Sequence, residues 1–347
     1  MHEFGSAVDL HSHWWPREFA QAITEGRSWH AWRTESTGTE VPRIVAGERE
    51  APAPVHLYTH DVAERRERRA AEGVIREAIM VPAFLWGYEL APAAAESYCR
   101  DVNADAAAVQ TESGGTVSGL GLLPLQDHDA ALRVLDHSVK DLGLHAFSIG
   151  SNVEDANLDA PAVVSVLEQV LASGAALVIH ANWYTRAGRG RMGQHMFDNS
   201  VGVPLEAGLA LSSLIYSGLL DTYPDARICC CHGGGWLAYG IGRLNLRYQQ
   251  GRDGRGLEQS PDRYLDRFHY DCLLHDERSL ELLVDRVGAD RVVIGTDHPY
   301  GGNIPNVGAV RWIADQASLT SREKDMVVRE NAARFLDGAR GAVEARR

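Results

Sequence analysis

Two histidines one residue apart close the short run Val8-Asp9-Leu10-His11-Ser12-His13. On a strand, alternate side chains share a face, so His11 and His13 aim at one point while Ser12 points away. Neutral imidazole is the commonest ligand for zinc-like ions, and a pair held by the backbone loses little freedom when an ion arrives. Three later runs also end in groups able to hold an ion or move a proton. His180 closes Leu177-Val178-Ile179-His180, His232 follows Cys229-Cys230-Cys231, and Asp297 follows Gly295-Thr296. Three imidazoles and one carboxylate form a mixed N/O set that suits zinc and admits Mn or Fe. An ion in such a set lowers the pKa of a water it holds to about 7. That leaves His232 as the acid/base residue for the proton.

Something must bring these distant residues together. Eight compact apolar runs read as strands covered on both faces: 7–10, 75–81, 117–123, 145–149, 176–179, 227–231, 268–273 and 291–294. Between them, Val163-Val166-Leu167-Val170-Leu171 and Leu280-Leu283-Val284-Val287 recur at helical spacing, with Gly174 and Gly288 placed to end those helices. Eight β/α units in one domain spanning 1–347 point to an α/β fold, a (β/α)8 TIM barrel, with a doubly wound sheet as the alternative. In the barrel, every residue singled out above falls at the C-terminal end of a strand, the face that carries active sites. Residues 14–60 show no period and read as a long loop insertion after the first strand, placed to act as a lid over that face. A helix is expected over 61–72, with Glu64-Arg65-Arg66-Glu67-Arg68-Arg69 as a solvated face, and 338–347 reads as a tail.

Composition excludes several classes. A net charge of -13 repels nucleic acid and anionic membrane surfaces. No run is apolar enough to cross a membrane and no secretion signal is apparent, so a cytoplasmic location is expected. Five cysteines, three of them consecutive, fit no C-x-x-C pattern and read as small hydrophobes in a strand. The run His232-Gly233-Gly234-Gly235 has the look of an oxyanion loop, but no G-x-S-x-G elbow accompanies it, so a serine hydrolase is set aside. The glycines are read instead as letting the backbone approach the pocket.

The motifs resemble those of the amidohydrolase superfamily, in its branch of metal-dependent decarboxylases typified by 2-amino-3-carboxymuconate-6-semialdehyde decarboxylase. The likeness spans nearly the whole chain. It runs through Asp9-Leu10-His11-Ser12-His13, Gly119 to Pro124, Gly190-Arg191-Met192, His232 to Gly235, Tyr270-Asp271, His275-Asp276 and Gly295 to Tyr300. By position it implies that His11, His13, His180 and Asp297 ligate one metal per subunit, usually zinc, with His232 as the catalytic residue; the proton that a decarboxylation needs is then a task for His232 or Asp297. Binuclear members carry a carboxylated lysine on the fourth strand, but His145-Ala146-Phe147-Ser148-Ile149-Gly150 has none, which favours a single ion. Arg243 matches the family arginine that reaches a substrate carboxylate across a homodimer interface. An arginine fork suits that task, and a surface salt bridge is the plainer reading.

Two departures bear on the substrate. Where the family has a second carboxylate-binding arginine and then Cys-Trp on the first long loop, this chain has His56 and Thr59-His60, leaving Arg33, Arg43 or Arg49 as substitutes. His180-Ala181-Asn182-Trp183 replaces His-Pro-Trp-Asp. Trp14, Trp183 and Phe84 are expected to line an aromatic-friendly pocket, with His298 and Tyr300 behind the metal site. The resulting expectation is a decarboxylase of a small aromatic or muconate-like acid that releases CO2. The alternative is a hydrolase or hydratase acting on a C–C bond, lactone, amide or double bond. A binding protein that merely kept the scaffold should have lost a ligand, and all five positions are present.

Overall fold

In the computed structural model, which describes residues 6–38, 42–51, 61–252, 257–300 and 308–346, all eight expected strands form. They are Ala7–His13, Val74–Met80, Val117–Gly119 continuing as Gly121–Leu122, Ala146–Gly150, Ala176–His180, Ile228–Cys230, Phe268–Asp271 and Val292–Val293. Each is parallel to the next around the ring. The last returns to the first through the parallel bridge Asp9 to Ile294, and the Leu10 N–H donates to the Ile294 carbonyl at 2.9 Å. The sheet therefore closes into a (β/α)8 barrel. Val8, Leu10, Ala78, Met80, Val178, Cys229, Cys231 and Val293 fill its interior, and Phe335 and Leu336 of the last helix plug the end where the strands enter.

The outer helices follow the predicted periods. Pro161–Ala172 buries Val163, Val166, Leu167, Val170 and Leu171, the stripe read from the sequence. Glu277–Val287 is capped by the Asp276 carboxylate, which accepts the Ser279 N–H, and stops at Gly288 with φ +85°. All five cysteines are free and buried, as small hydrophobes should be.

Three readings are corrected. Residues 14–60 are not simply irregular: Arg17–Thr24 is a helix, and Arg33–Glu35, Arg43–Ala46 and Arg49–Ala51 pair as a three-stranded antiparallel sheet. Strands of three or four residues are too short to show a period. The last helix runs Asn331–Glu344, through most of the expected tail, because Ala339 and Val343 are buried one turn apart despite Gly338 and Gly341.

The third correction concerns the charged helix, Val62–Ala71. Arg65 and Arg69, one turn apart, are buried behind the first strand rather than solvated. Arg65 Nε donates to Glu77 Oε1 at 2.6 Å and its Nη1 to the His13 carbonyl at 3.0 Å. Arg69 pairs with Asp9 and with Glu77. Burial works to raise the Glu77 carboxyl, but Arg65 and Arg69 hold it at about 2. Arg65→Met is expected to cost about 3–5 kcal/mol, because it strands part of a buried charge network. Urea unfolding at pH 7 measures it. A depressed carboxyl stabilises above its unfolded value of 4.5 and loses that contribution as pH falls toward 2, so the variant's deficit should shrink in acid.

Candidate metal centre

Strict alternation along the first strand would oppose the histidines to Val8 and Leu10, yet all four side chains face the barrel axis. The register explains it. Asp9 pairs with Glu77 but Ser12 pairs with Ile79, so three steps on one strand match two on its neighbour. This bulge reverses the parity, sending Asp9 and Ser12 outward to the buried arginines and His11 and His13 inward.

At the mouth of the barrel the donor atoms converge. His11 Nε2 lies 3.2 Å from His13 Nε2 and 3.3 Å from Asp297 Oδ1, which is 2.9 Å from His13 Nε2. His180 joins them, its ring centroid 5.1 Å from those of both His11 and His13. His11, His13, His180 and Asp297 form one group able to hold an ion. Ligand atoms about 2.1 Å from a tetrahedral cation stand about 3.4 Å apart, close to the spacing seen.

The hydrogen bonds behind the cluster decide where protons sit. His11 Nδ1 is 2.6 Å from Asp271 Oδ2, and His180 Nδ1 is 2.9 Å from the Ala181 carbonyl. An ionised carboxylate and a carbonyl can only accept, so both Nδ1 atoms carry protons, and each ring turns its Nε2 toward the cluster. Three Nε2 atoms and a carboxylate oxygen are thus turned to one small volume, where a cation would bond all four. The donor set therefore fits a metal. Burial first, then the neighbouring imidazoles, hold His180 well below its ordinary pKa and so neutral. Burial opposes ionisation of Asp297, but His11 and His13 keep its carboxyl well below the usual range.

His232 lies beside this group, its centroid 5.0 Å from that of His11 and 4.9 Å from that of His180. Burial lowers its pKa to about 4, and no group among the described residues hydrogen-bonds to its Nδ1. Its φ of +58° and the +54° of Asp297 are unusual for residues with side chains. The glycines after His232 bring the backbone to the site, Gly233 N–H donating to Asp271 at 2.9 Å, and two of them also serve packing. A Cβ on Gly235 would lie 1.9 Å from the Pro204 carbonyl oxygen, and one on Gly234 would meet Tyr270.

Tyr300 stands 5.4 Å from His13, and behind it Phe84 contacts Tyr300 at 6.3 Å and Trp183 at 6.1 Å, a run of aromatic rings leading to the cluster. Trp14 is buried, its indole N–H without a hydrogen-bond partner among the described residues. His298 is drawn to the outer side of the first strand, where burial, Arg69 and Arg65 lower its pKa to about 3. Arg33, Arg43 and Arg49 are each engaged by carboxylates, Glu35, Glu50, and Glu89 with Glu154 respectively. His56, Thr59 and His60 lie outside the described residues. Arg243 is exposed on the helix Leu237–Gln249 and has no ion pair among the described residues.

Two contributors escaped sequence reasoning. Asp271 ends the seventh strand and also accepts the Gly233 and Leu273 N–H groups, at 2.9 and 3.1 Å. Its place at a strand end was the available signal. Trp86 stacks edge-on 6.1 Å from His180 and fills the space a Cβ on Gly150 would occupy. Nothing in its local sequence distinguishes it from a core tryptophan.

A family model described as amidohydrolase matches residues 8–338. The chain is 28% identical over 335 residues to 2-amino-3-carboxymuconate-6-semialdehyde decarboxylase of Dictyostelium discoideum, covering 95% of this chain and 91% of that protein. Among solved structures it resembles 5-carboxyvanillate decarboxylase from Sphingomonas paucimobilis, with a TM-score of 0.80, 20% identity and coverage of 96% and 99% of the two chains. It also resembles a dihydroxybenzoic acid decarboxylase from Polaromonas sp. JS666 solved with bound manganese and 2-nitroresorcinol, with a TM-score of 0.76, 17% identity and coverage of 96% and 97%.

Proposed function

The chain belongs to the amidohydrolase family, and on that premise we propose that it is a mononuclear metal-dependent decarboxylase of a small aromatic or muconate-like acid. The observation that carries this reading is the convergence of the ligand atoms of His11, His13, His180 and Asp297, with a neutral His232 beside them. His11, His13, His180 and Asp297 would hold one ion, zinc or manganese. When bound, it supplies positive charge that orients the substrate carboxylate and stabilises the electron density left on carbon as CO2 departs.

The chain's own groups do the rest. His232, neutral at rest, would take a proton from solvent and pass it to the carbon that loses CO2. Phe84, Trp183 and Tyr300 offer ring faces and edges to an unsaturated substrate, and Trp14 completes the apolar lining. Asp271 fixes the His11 ring, so Asp271→Asn is expected to weaken metal affinity by about 10–100-fold. Competition with a chromogenic chelator reads this directly.

A homodimer fits the surface. Tyr239 and Leu246 are 82% and 48% exposed, one turn to either side of Arg243 on the same helical face, and Met196, Phe197 and Val201 add further exposed apolar side chains. Covering this face with a second copy would carry Arg243 toward the neighbouring site and a substrate carboxylate. Five free, buried cysteines suit a reducing compartment such as the cytoplasm. No helix among the described residues is long and apolar enough to cross a membrane.

The test is to incubate metal-loaded protein with hydroxybenzoates, carboxyvanillate and muconate-type acids in labelled water. Release of CO2, with one solvent hydrogen placed on the vacated carbon, is the expected result. Incorporation of solvent oxygen without CO2 would instead make the protein a hydrolase or hydratase.

A further inference from the structure

The end of the barrel opposite the metal centre holds a second concentration of charge. A cleft of about 760 Å³ opens where strands six, seven and eight enter, between their leading loops and the last helix. Arg227, Arg267, Arg291, Arg334, Arg346 and His269 line it, against the carboxylates of Asp225 and Asp266. In a chain of net charge -13, five guanidiniums on one cleft run against the overall balance.

Their partners do not account for them. Arg227 has neither an ion pair nor a side-chain hydrogen bond among the described residues. Arg267 donates to the Pro224 carbonyl, Arg334 to the Asn331 side chain and Arg346 to the Ala342 carbonyl. Among the described residues, only Arg291 of these meets a carboxylate, Asp290 at 3.5 Å. Most of the guanidinium N–H groups in this cleft therefore have no acceptor among the described residues.

Two of these side chains sit in notches that a Cβ would fill. A Cβ on Gly338 would stand 2.5 Å from Arg227 Nε, and one on Gly174 would stand 2.1 Å from Arg346 Nη1. His269 Nδ1 is buried with no hydrogen-bond partner among the described residues. The cleft lining sets Arg291, Arg334 and Arg227 near it, and burial, then these three charges, hold its pKa down at about 3. Clustered like charges repel unless an anion joins them, and an arginine fork matches the oxygens of phosphate or carboxylate.

We propose that this cleft binds a small multivalent oxyanion, on Arg227, Arg291 and Arg334 with His269 at its floor. Phosphate esters and polycarboxylates share that chemistry. Isothermal titration of the metal-loaded protein in 0.15 M salt, with inorganic pyrophosphate in one arm and tricarballylate in the other, separates them. Saturable binding of either probe is expected, weakened at least about tenfold in Arg227→Gln/Arg334→Gln, which corresponds to the loss of charge-assisted bonds. Both probes also bind metals, but the double variant leaves the distant metal centre intact, so that contribution is common to both proteins and cancels. Arg291→Lys keeps the charge and removes the fork, and should weaken binding without disturbing the fold. Equal binding to wild type and both variants, or no binding of either probe, overturns the proposal.

Discussion

His232→Asn is expected to lower kcat by about 10²–10⁴-fold, the usual worth of one positioned proton-transfer group. Asparagine is the suitable replacement because the backbone there has φ +58°, which Asn tolerates better than Ala or Gln. The variant keeps a polar side chain but cannot titrate. Metal content should stay unchanged, since His11, His13, His180 and Asp297 form their group without it. Steady-state kinetics alongside elemental analysis make the check. A variant that lost its metal would point to His232 as a ligand, and one that turned over normally would remove it from the chemistry.

Removing the ion should have a larger effect still, abolishing turnover to background and lowering the unfolding midpoint. The physical reason lies in the cluster: His11 and His13 Nε2 stand 3.2 Å apart with Asp297 Oδ1 near both, so an ion among them would tie the ends of the first and last strands together. A ligand held only by the folded state at a hundred times its Kd adds about 2.7 kcal/mol of stability. Dialysis against a chelator, then calorimetry and activity after adding back zinc or manganese separately, measures both effects and ranks the metals. Full turnover by verified metal-free protein would refute the metal assignment.

Much of the catalytic face was legible before any coordinates. Each strand was announced by a short apolar run, and a closed parallel barrel places every strand's C-terminal end on one rim. Position along the chain thus translated directly into position in space for His11, His13, His180, His232 and Asp297. Arg65 and Arg69 were misread because charge on a helix ordinarily faces water; only the partners Asp9 and Glu77, brought beside them by strand pairing, make their burial affordable.

The residues and their order determined the barrel, the strand ends and the kinds of ligand gathered there, because those depend on periodicity and chemical type. Tertiary structure alone decided which way the ligands point and what fixes them. The three-against-two register beside Val74–Met80 turns His11 and His13 inward, and Asp271, 260 residues from His11, sets the proton on its ring. Register and cross-barrel hydrogen bonds arise from packing between segments far apart in the chain, and no local pattern encodes them.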